Sequence, residues 1–138
     1  MKLKFNDLEL AFNFVSSGRR LTNEAFISRA SGQIYYRSAQ ETWEELPEDI
    51  DDVEKYISVP HKNDMDLGIA MALRFVEEVA PDELELVSAY FRAAGAYRRF
   101  KIFLERNGLL ERWYAYEEAH RVPALRTWCE EQGIALIE

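Results

Sequence analysis

Residues 95–106 combine aromatic side chains and cations at helical spacing, and this pattern constrains the local fold more than any other part of the chain. Gly95 and Gly108 bracket the helix that the pattern predicts, Ala96 to Asn107. On a helical projection the apolar residues share one side: Ala96, Tyr97, Phe100, Phe103 and Leu104. The opposite side carries Arg98, Lys101 and Glu105 on one flank and Arg99 with Arg106 on the other, and Ile102 lies in the middle of this polar face. The segment therefore predicts an amphipathic helix with an apolar core face and a basic outer face.

The N-terminal half predicts one helix and a small antiparallel sheet. The helix would be capped by Asn6 or Asp7 and would end at the segment 16–18. Three short aromatic and β-branched runs predict strands, and the first two flank a Ser-Gly pair that is typical of a hairpin. These runs are 25–30, 33–37 and 55–60. Three strands with one apolar face are enough for a small sheet when helices cover that face.

The C-terminal half predicts helices alone. Residues 65–79 form the first predicted helix, capped by Asn63 or Asp64, and a second begins at Pro81 and ends near Gly95. The helix 96–107 follows, and a longer one begins near Leu109. Pro123 is expected to divide this last helix, and Gly133 to end it. The elements together predict a single α+β domain, residues 1–138, with the N-terminal helix and three-stranded sheet packed against a helical C-terminal half.

The composition indicates a globular protein with enough apolar surface for one core. Of the 138 residues 48% are hydrophobic, and the formal net charge is −8. The negative charge disfavours nonspecific adhesion to nucleic acid or anionic membranes. No apolar run approaches the ~20 residues of a membrane-spanning helix, so we expect no membrane partner. A single cysteine excludes an intrachain disulfide, and the N-terminus does not have the pattern of a signal peptide, so we expect the cytoplasm.

The charges are unevenly distributed, and this allows two interpretations of the basic face. Residues 92–126 carry 8 Lys/Arg against 4 Asp/Glu, whereas residues 1–91 carry 9 against 18. In the first interpretation, the cations of the helix pair with acids of the first half inside the fold. In the second, the basic face binds an acidic segment of a partner protein through arginine forks, with Ile102 as an apolar anchor. A nucleic-acid backbone would fit the same face, but the net negative charge disfavours it.

The second interpretation leads to a functional hypothesis. We expect a non-enzymatic interaction or regulatory protein whose binding residues are Arg98, Arg99, Lys101, Ile102 and Arg106. The alternative is an enzyme or nucleotide-binding protein with a cleft between sheet and helices. A homo-oligomer is compatible with both hypotheses.

Several segments resemble a known family in the same order along the chain. The central one is Gly95-Ala96-Tyr97-Arg98-Arg99-Phe100-Lys101, followed by Leu104-Glu105-Arg106, Gly108, Leu110 and Trp113-Tyr114. The others are 46–52, 56–60, Arg74-Phe75-Val76, Trp128 and Gly133-Ile134. This pattern resembles a bacterial family catalogued as uncharacterised protein family 158. The resemblance implies a small bacterial α+β protein, and it implies no activity and no catalytic residue.

Other candidate sites have weaker patterns. From Glu44 to Glu54 there are seven acids in eleven residues, which predicts a solvated loop. These acids could hold a hard cation or dock against Arg98, Arg99 or Arg106, but the loop lacks the glycine and ligand spacing of an EF-hand. His61, His120 and Cys129 lack zinc-ligand spacing, and Cys129 is expected to be a buried, inert thiol. We expect Trp43, Trp113 and Trp128 in the core or at a subunit interface. The sequence predicts no metal site, no cofactor and no catalytic residue.

Overall fold

A computed structural model describes residues 1–39 and 45–137 and shows an α+β fold, which confirms the predicted class. Trp43 and Glu44 lie outside the described residues. The contacts divide the chain into two compact units, Met1–Met65 with Leu125–Glu138, and Asp66–Ala124. The prediction of one domain stays a prediction.

The first unit contains the strands and the first helix. Its elements are β1 (Lys2–Lys4), α1 (Phe5–Ser16), β2 (Asn23–Ser28), β3 (Ile34–Ser38), β4 (Tyr56–Ser58) and β5 (Ala135–Ile137). The second unit is helical. Its elements are α2 (Ile69–Val79), α3 (Leu84–Tyr90), α4 (Ala96–Arg106) and the first part of α5 (Leu110–Gln132), and the boundary between the units falls inside α5, after Ala124.

The three predicted strands form one antiparallel sheet with the order β3-β2-β4. The central strand β2 places Phe26 opposite Tyr35 on one side and Ser58 on the other. Residues 25–27 of this strand are buried. The hairpin turn passes through Gly32, whose φ of 79° lies in the left-handed region. The hairpin and the third strand are therefore confirmed.

A second, two-stranded sheet is absent from the sequence prediction. Strand β1 pairs with β5 in parallel, with Leu3 opposite Leu136. Leu3 is buried, while Lys2 and Lys4 on either side of it are exposed. Three-residue strands are too short for a period-2 pattern to stand out, and the two partners come from opposite ends of the sequence.

Three predictions about helix ends are wrong. Helix α1 begins at Phe5 with Lys4 at the N-cap position and no side-chain cap, so Asn6 and Asp7 lie inside the helix. Helix α2 begins at Ile69 rather than 65, because a short 3-10 helix (Lys62–Met65) precedes it and Asp66 has a φ of 55°. The predicted helix after Pro81 consists of a 3-10 turn (Pro81–Glu83) and α3, which ends at Tyr90.

Helix α5 continues through Pro123, which was expected to divide it. Proline removes the backbone hydrogen bond to the residue four positions earlier, here Ala119. Both Ala119 and Pro123 are exposed, so water can reach the carbonyl group that proline leaves without a donor. The predicted end of the helix before Gly133 is confirmed, since Gly133 has a φ of 73° and Ile134 N–H donates to the Cys129 carbonyl.

Two glycines with the same backbone conformation allow steric cost to be separated from conformational strain. A Cβ on Gly32 would lie 2.5 Å from the carbonyl oxygen of Lys2, whereas a Cβ on Gly108 would meet nothing within 4 Å. We expect Gly108→Ala to lower the free energy of unfolding by about 1 kcal/mol, the strain of a left-handed alanine. Gly32→Ala should cost clearly more, because strand β1 must also move. Urea denaturation followed by circular dichroism measures both, and equal losses would contradict the close packing of Gly32 on β1.

Candidate functional site

Helix α4 carries the predicted basic face, and glycines set both of its ends. Gly95 adopts the left-handed conformation at the N-cap position. At the other end Gly108 is also left-handed, Leu109 N–H donates to the Leu104 carbonyl at 2.8 Å, and Gly108 N–H donates to the Glu105 carbonyl. This pair of bonds is a Schellman motif, and it satisfies carbonyls that a helix end otherwise leaves open. The observed bounds, Ala96–Arg106, agree with the predicted ones to within one residue.

Three of the five residues predicted for the apolar face of α4 lie in the core of the second unit, whereas Tyr97 is 38% exposed. Phe100, Phe103 and Leu104 are at most 5% exposed and belong to one cluster with residues of α2 and α3. The Phe100 ring contacts Trp113 edge-on, with 5.1 Å between the ring centroids, and also contacts Phe91. Because this face is fixed by packing, the opposite face of the helix must point away from the core of its unit.

All five predicted binding residues lie on that outer face, and all five are exposed. Ile102 is 40% exposed. Within the second unit, residues 66–124, no carboxylate forms an ion pair or side-chain hydrogen bond with the four cations. Those cations are Arg98, Arg99, Lys101 and Arg106.

Two acids of the segment 44–54 bind basic residues within the first unit. Asp49 accepts a hydrogen bond from Lys55 at 2.9 Å, and this bond lowers the pKa of the Asp49 carboxyl. Asp51 accepts one from Arg37 at 3.2 Å. The docking of the acidic segment against Arg98, Arg99 or Arg106 stays a prediction.

Three of the five predicted residues line a groove between α3 and α4. The groove has a volume of about 420 Å³, and its α4 wall includes Arg99, Ile102 and Arg106. Arg98 and Lys101 do not line it. The structure thus divides the basic face into a groove side and a side that only faces solvent. We refer below to the cavity as the α3–α4 groove.

The opposite wall of the α3–α4 groove was missed by the sequence reasoning. It is formed by Glu83, Leu86 and Tyr90, while Phe103 and Asn107 complete the α4 side. Leu86 is 47% exposed and lines the same groove as Ile102. The sequence signal was Leu86 itself, an aliphatic residue that directly follows Glu85 in a short helix. The groove offers an aliphatic centre, one carboxylate and two guanidinium groups that have no carboxylate partner within residues 66–124.

A second cleft, of about 320 Å³, lies in the first unit between α1 and the antiparallel sheet. Its polar side chains are already used inside the fold. Glu24 accepts from Arg37 at 2.7 Å, and Asp64 pairs with Arg20 at 2.7 Å. A cleft whose charged groups are paired in this way offers a ligand little polar recognition.

His61 lies in this cleft and is only 5% exposed. Asn63 N–H donates to its Nδ1 at 3.1 Å, so the ring proton is on Nε2, which donates to the Gly18 carbonyl at 2.7 Å. Both ring nitrogens therefore bind backbone groups. The His61 ring joins the segment 61–63 to Gly18 after α1 and has no nitrogen left for a nucleophile or a metal.

Cys129 is 1% exposed, as expected for an inert thiol. Burial raises the pKa of the Cys129 thiol to about 11, although Arg126 opposes the shift.

Among the described residues, no group of three or more histidines, cysteines and carboxylates is placed to hold a metal ion. In the same part of the chain, no helix has the length and apolar content to cross a membrane.

Comparison of the chain with protein-family models, curated proteins and solved structures gives no match. The resemblance to uncharacterised protein family 158 stays a prediction. A functional assignment therefore rests on the geometry of the chain itself.

The buried thiol gives a direct test of the site chemistry in the first unit. Because its pKa is raised, Cys129 has very little thiolate near neutral pH, and burial also blocks access. We expect labelling by a disulfide reagent at pH 8 to be slow in the native protein and fast in urea, with one thiol per chain at completion. Fast native labelling would show an activated cysteine and would contradict this assignment.

Proposed function

We propose that the protein is a non-enzymatic interaction module that binds an acidic segment of a partner protein in the α3–α4 groove. One observation carries the proposal: Arg99 and Arg106, unpaired within the second unit, flank the exposed Ile102 in a groove. Guanidinium groups bind carboxylates through two parallel hydrogen bonds, which gives geometric specificity. The aliphatic centre supplies the nonpolar part of the interaction.

The expected energetics are those of a moderate, transient complex. Each exposed ion pair contributes about 0–1 kcal/mol, and covering Ile102 and Leu86 contributes roughly 25 cal/mol for each Å² of apolar surface removed from water. The apolar centre therefore provides much of the affinity, and the arginines provide specificity and association rate. Such a site suits a regulatory contact better than a permanent complex.

Two other functions receive less support from the geometry. A nucleic-acid backbone is recognised mainly by summed positive charge, yet Glu83 lies in the groove and the chain carries a net charge of −8. An enzyme or nucleotide-binding protein needs converging free polar groups, and the charged groups Glu24 and Asp64 of the sheet cleft are paired within the fold. We also propose that the protein is cytoplasmic and belongs to the bacterial family catalogued as uncharacterised protein family 158.

The division of the basic face allows a matched test. Arg99→Glu with Arg106→Glu reverses the charges inside the groove, and Arg98→Glu with Lys101→Glu makes the same change in net charge on the same helix outside it. We expect an acidic peptide with a central leucine to bind the wild type and the second variant. Its affinity for the first variant should fall roughly tenfold or more, since attraction becomes repulsion. Fluorescence anisotropy at low salt measures all three dissociation constants.

Controls separate binding from folding. Arg106→Glu places an acid in the last turn of a helix and should cost up to about 1 kcal/mol of stability, which thermal melting will show as a small shift. Equal loss of binding in both double variants would mean that only general positive charge matters, and the groove assignment would be wrong. Tighter binding of a short DNA duplex than of the peptide, with a steep salt dependence, would replace the proposal by nucleic-acid binding.

A further inference from the structure

The α4 wall of the α3–α4 groove presents its groups at a fixed spacing. Arg99 and Arg106 are seven residues apart, with Ile102 and Phe103 between them. A helix rises 1.5 Å per residue, so the two arginine positions are separated by about 10 Å along the axis, nearly two full turns. Residues at these intervals form one stripe on a helix. Along the helix axis the α4 wall therefore presents a cation, an apolar centre and a second cation.

The opposite wall has its groups at similar sequence intervals. Glu83 and Tyr90 are also seven positions apart, and Leu86 lies between them in sequence as Ile102 lies between the arginines. The apolar residues of the two walls thus lie at the centre of the groove and the polar ones towards its ends. The one carboxylate, Glu83, is on the α3 side, so a ligand's acids are directed towards α4.

An extended peptide does not match this spacing. Side chains on one face of a strand repeat every two residues, at intervals of about 7 Å, so the available separations are about 7 and 14 Å. A helical peptide has side chains on one stripe at positions 1, 4 or 5, and 8, and its first and last are separated by about 10 Å. The helix alone places two carboxylates opposite the arginines and an aliphatic side chain between Leu86 and Ile102.

We infer that the α3–α4 groove is selective for an amphipathic helix that carries two carboxylates seven residues apart with an aliphatic residue between them. This inference rests on the proposed function, because it specifies the acidic segment that the groove binds. The short motif is Glu-x-x-Leu-x-x-x-Glu or its reverse spacing, Glu-x-x-x-Leu-x-x-Glu. Recognition follows the helix-in-groove mode, with the leucine as the anchor and the two acids setting the register.

A spacing series tests the register. Three alanine-based peptides, each held helical by a staple on the opposite face, carry one leucine and two glutamates four, seven or eleven residues apart. Net charge, length and composition are identical. We expect the seven-residue spacing to bind wild-type protein roughly threefold to fivefold tighter than the other two, because only there do both arginines find a carboxylate.

The single substitution Arg106→Gln removes the preference for one peptide spacing and leaves the groove in place. Among the described residues, Arg99 is then the one cation that lines the groove, so it binds one carboxylate of each peptide whatever the spacing. The three peptides should therefore bind this variant with equal affinity. A proline-containing extended peptide of the same composition is the fourth probe. We expect it to bind more weakly than the seven-residue helical peptide.

The outcomes distinguish the inference from the proposed function. Equal binding of all three helical peptides to wild type, with loss in the Arg99→Glu and Arg106→Glu double variant, would overturn the helical register and leave the proposed function standing. Tighter binding of the extended peptide would likewise overturn the helical register and leave the proposed function standing. Absence of binding by every peptide at low salt would overturn both.

Discussion

The burial of one face of α4 determines what the rest of the helix can do. Phe100, Phe103 and Leu104 are fixed in the aromatic core of the second unit. A helix has no freedom to turn once such a stripe is packed, because a rotation would expose three large apolar side chains at about 1.5–3 kcal/mol each. The cations are consequently held in solvent by the core, and no local ion pair is needed to position them.

Much of the fold follows from local sequence signals. Gly95 and Gly108 indicate the ends of α4 to within one residue of the observed bounds. Both signals are local, since a left-handed glycine and the Schellman motif at the C-terminal end each involve only a few adjacent positions. The hairpin around Gly32 is equally local. Features that depend on distant partners were missed. Strand β1 pairs with β5 across almost the whole chain, and no pattern within three residues can indicate that pairing.

The candidate site shows the same limit. The helical projection correctly places Arg99, Ile102 and Arg106 on an outer face and shows that Ile102 is out of place there. It gives no reason to prefer these residues over Arg98 and Lys101, which belong to the same face. That distinction comes from Leu86 and α3, which form the second wall. A projection of one helix contains no information about its neighbours, so the groove could be found only in three dimensions.

The unpaired cations of the second unit are consistent with binding rather than with stability. Surface ion pairs contribute about 0–1 kcal/mol, so a helix loses little when its arginines have no partner. An exposed isoleucine is likewise tolerated when it stands alone. What stability does not explain is their combination, since Ile102 lies between two arginines nearly two turns apart and lines the same groove as the exposed Leu86. The proposed binding of an acidic helix depends on this combination, because the arginines supply its charges and the two aliphatic residues its anchor.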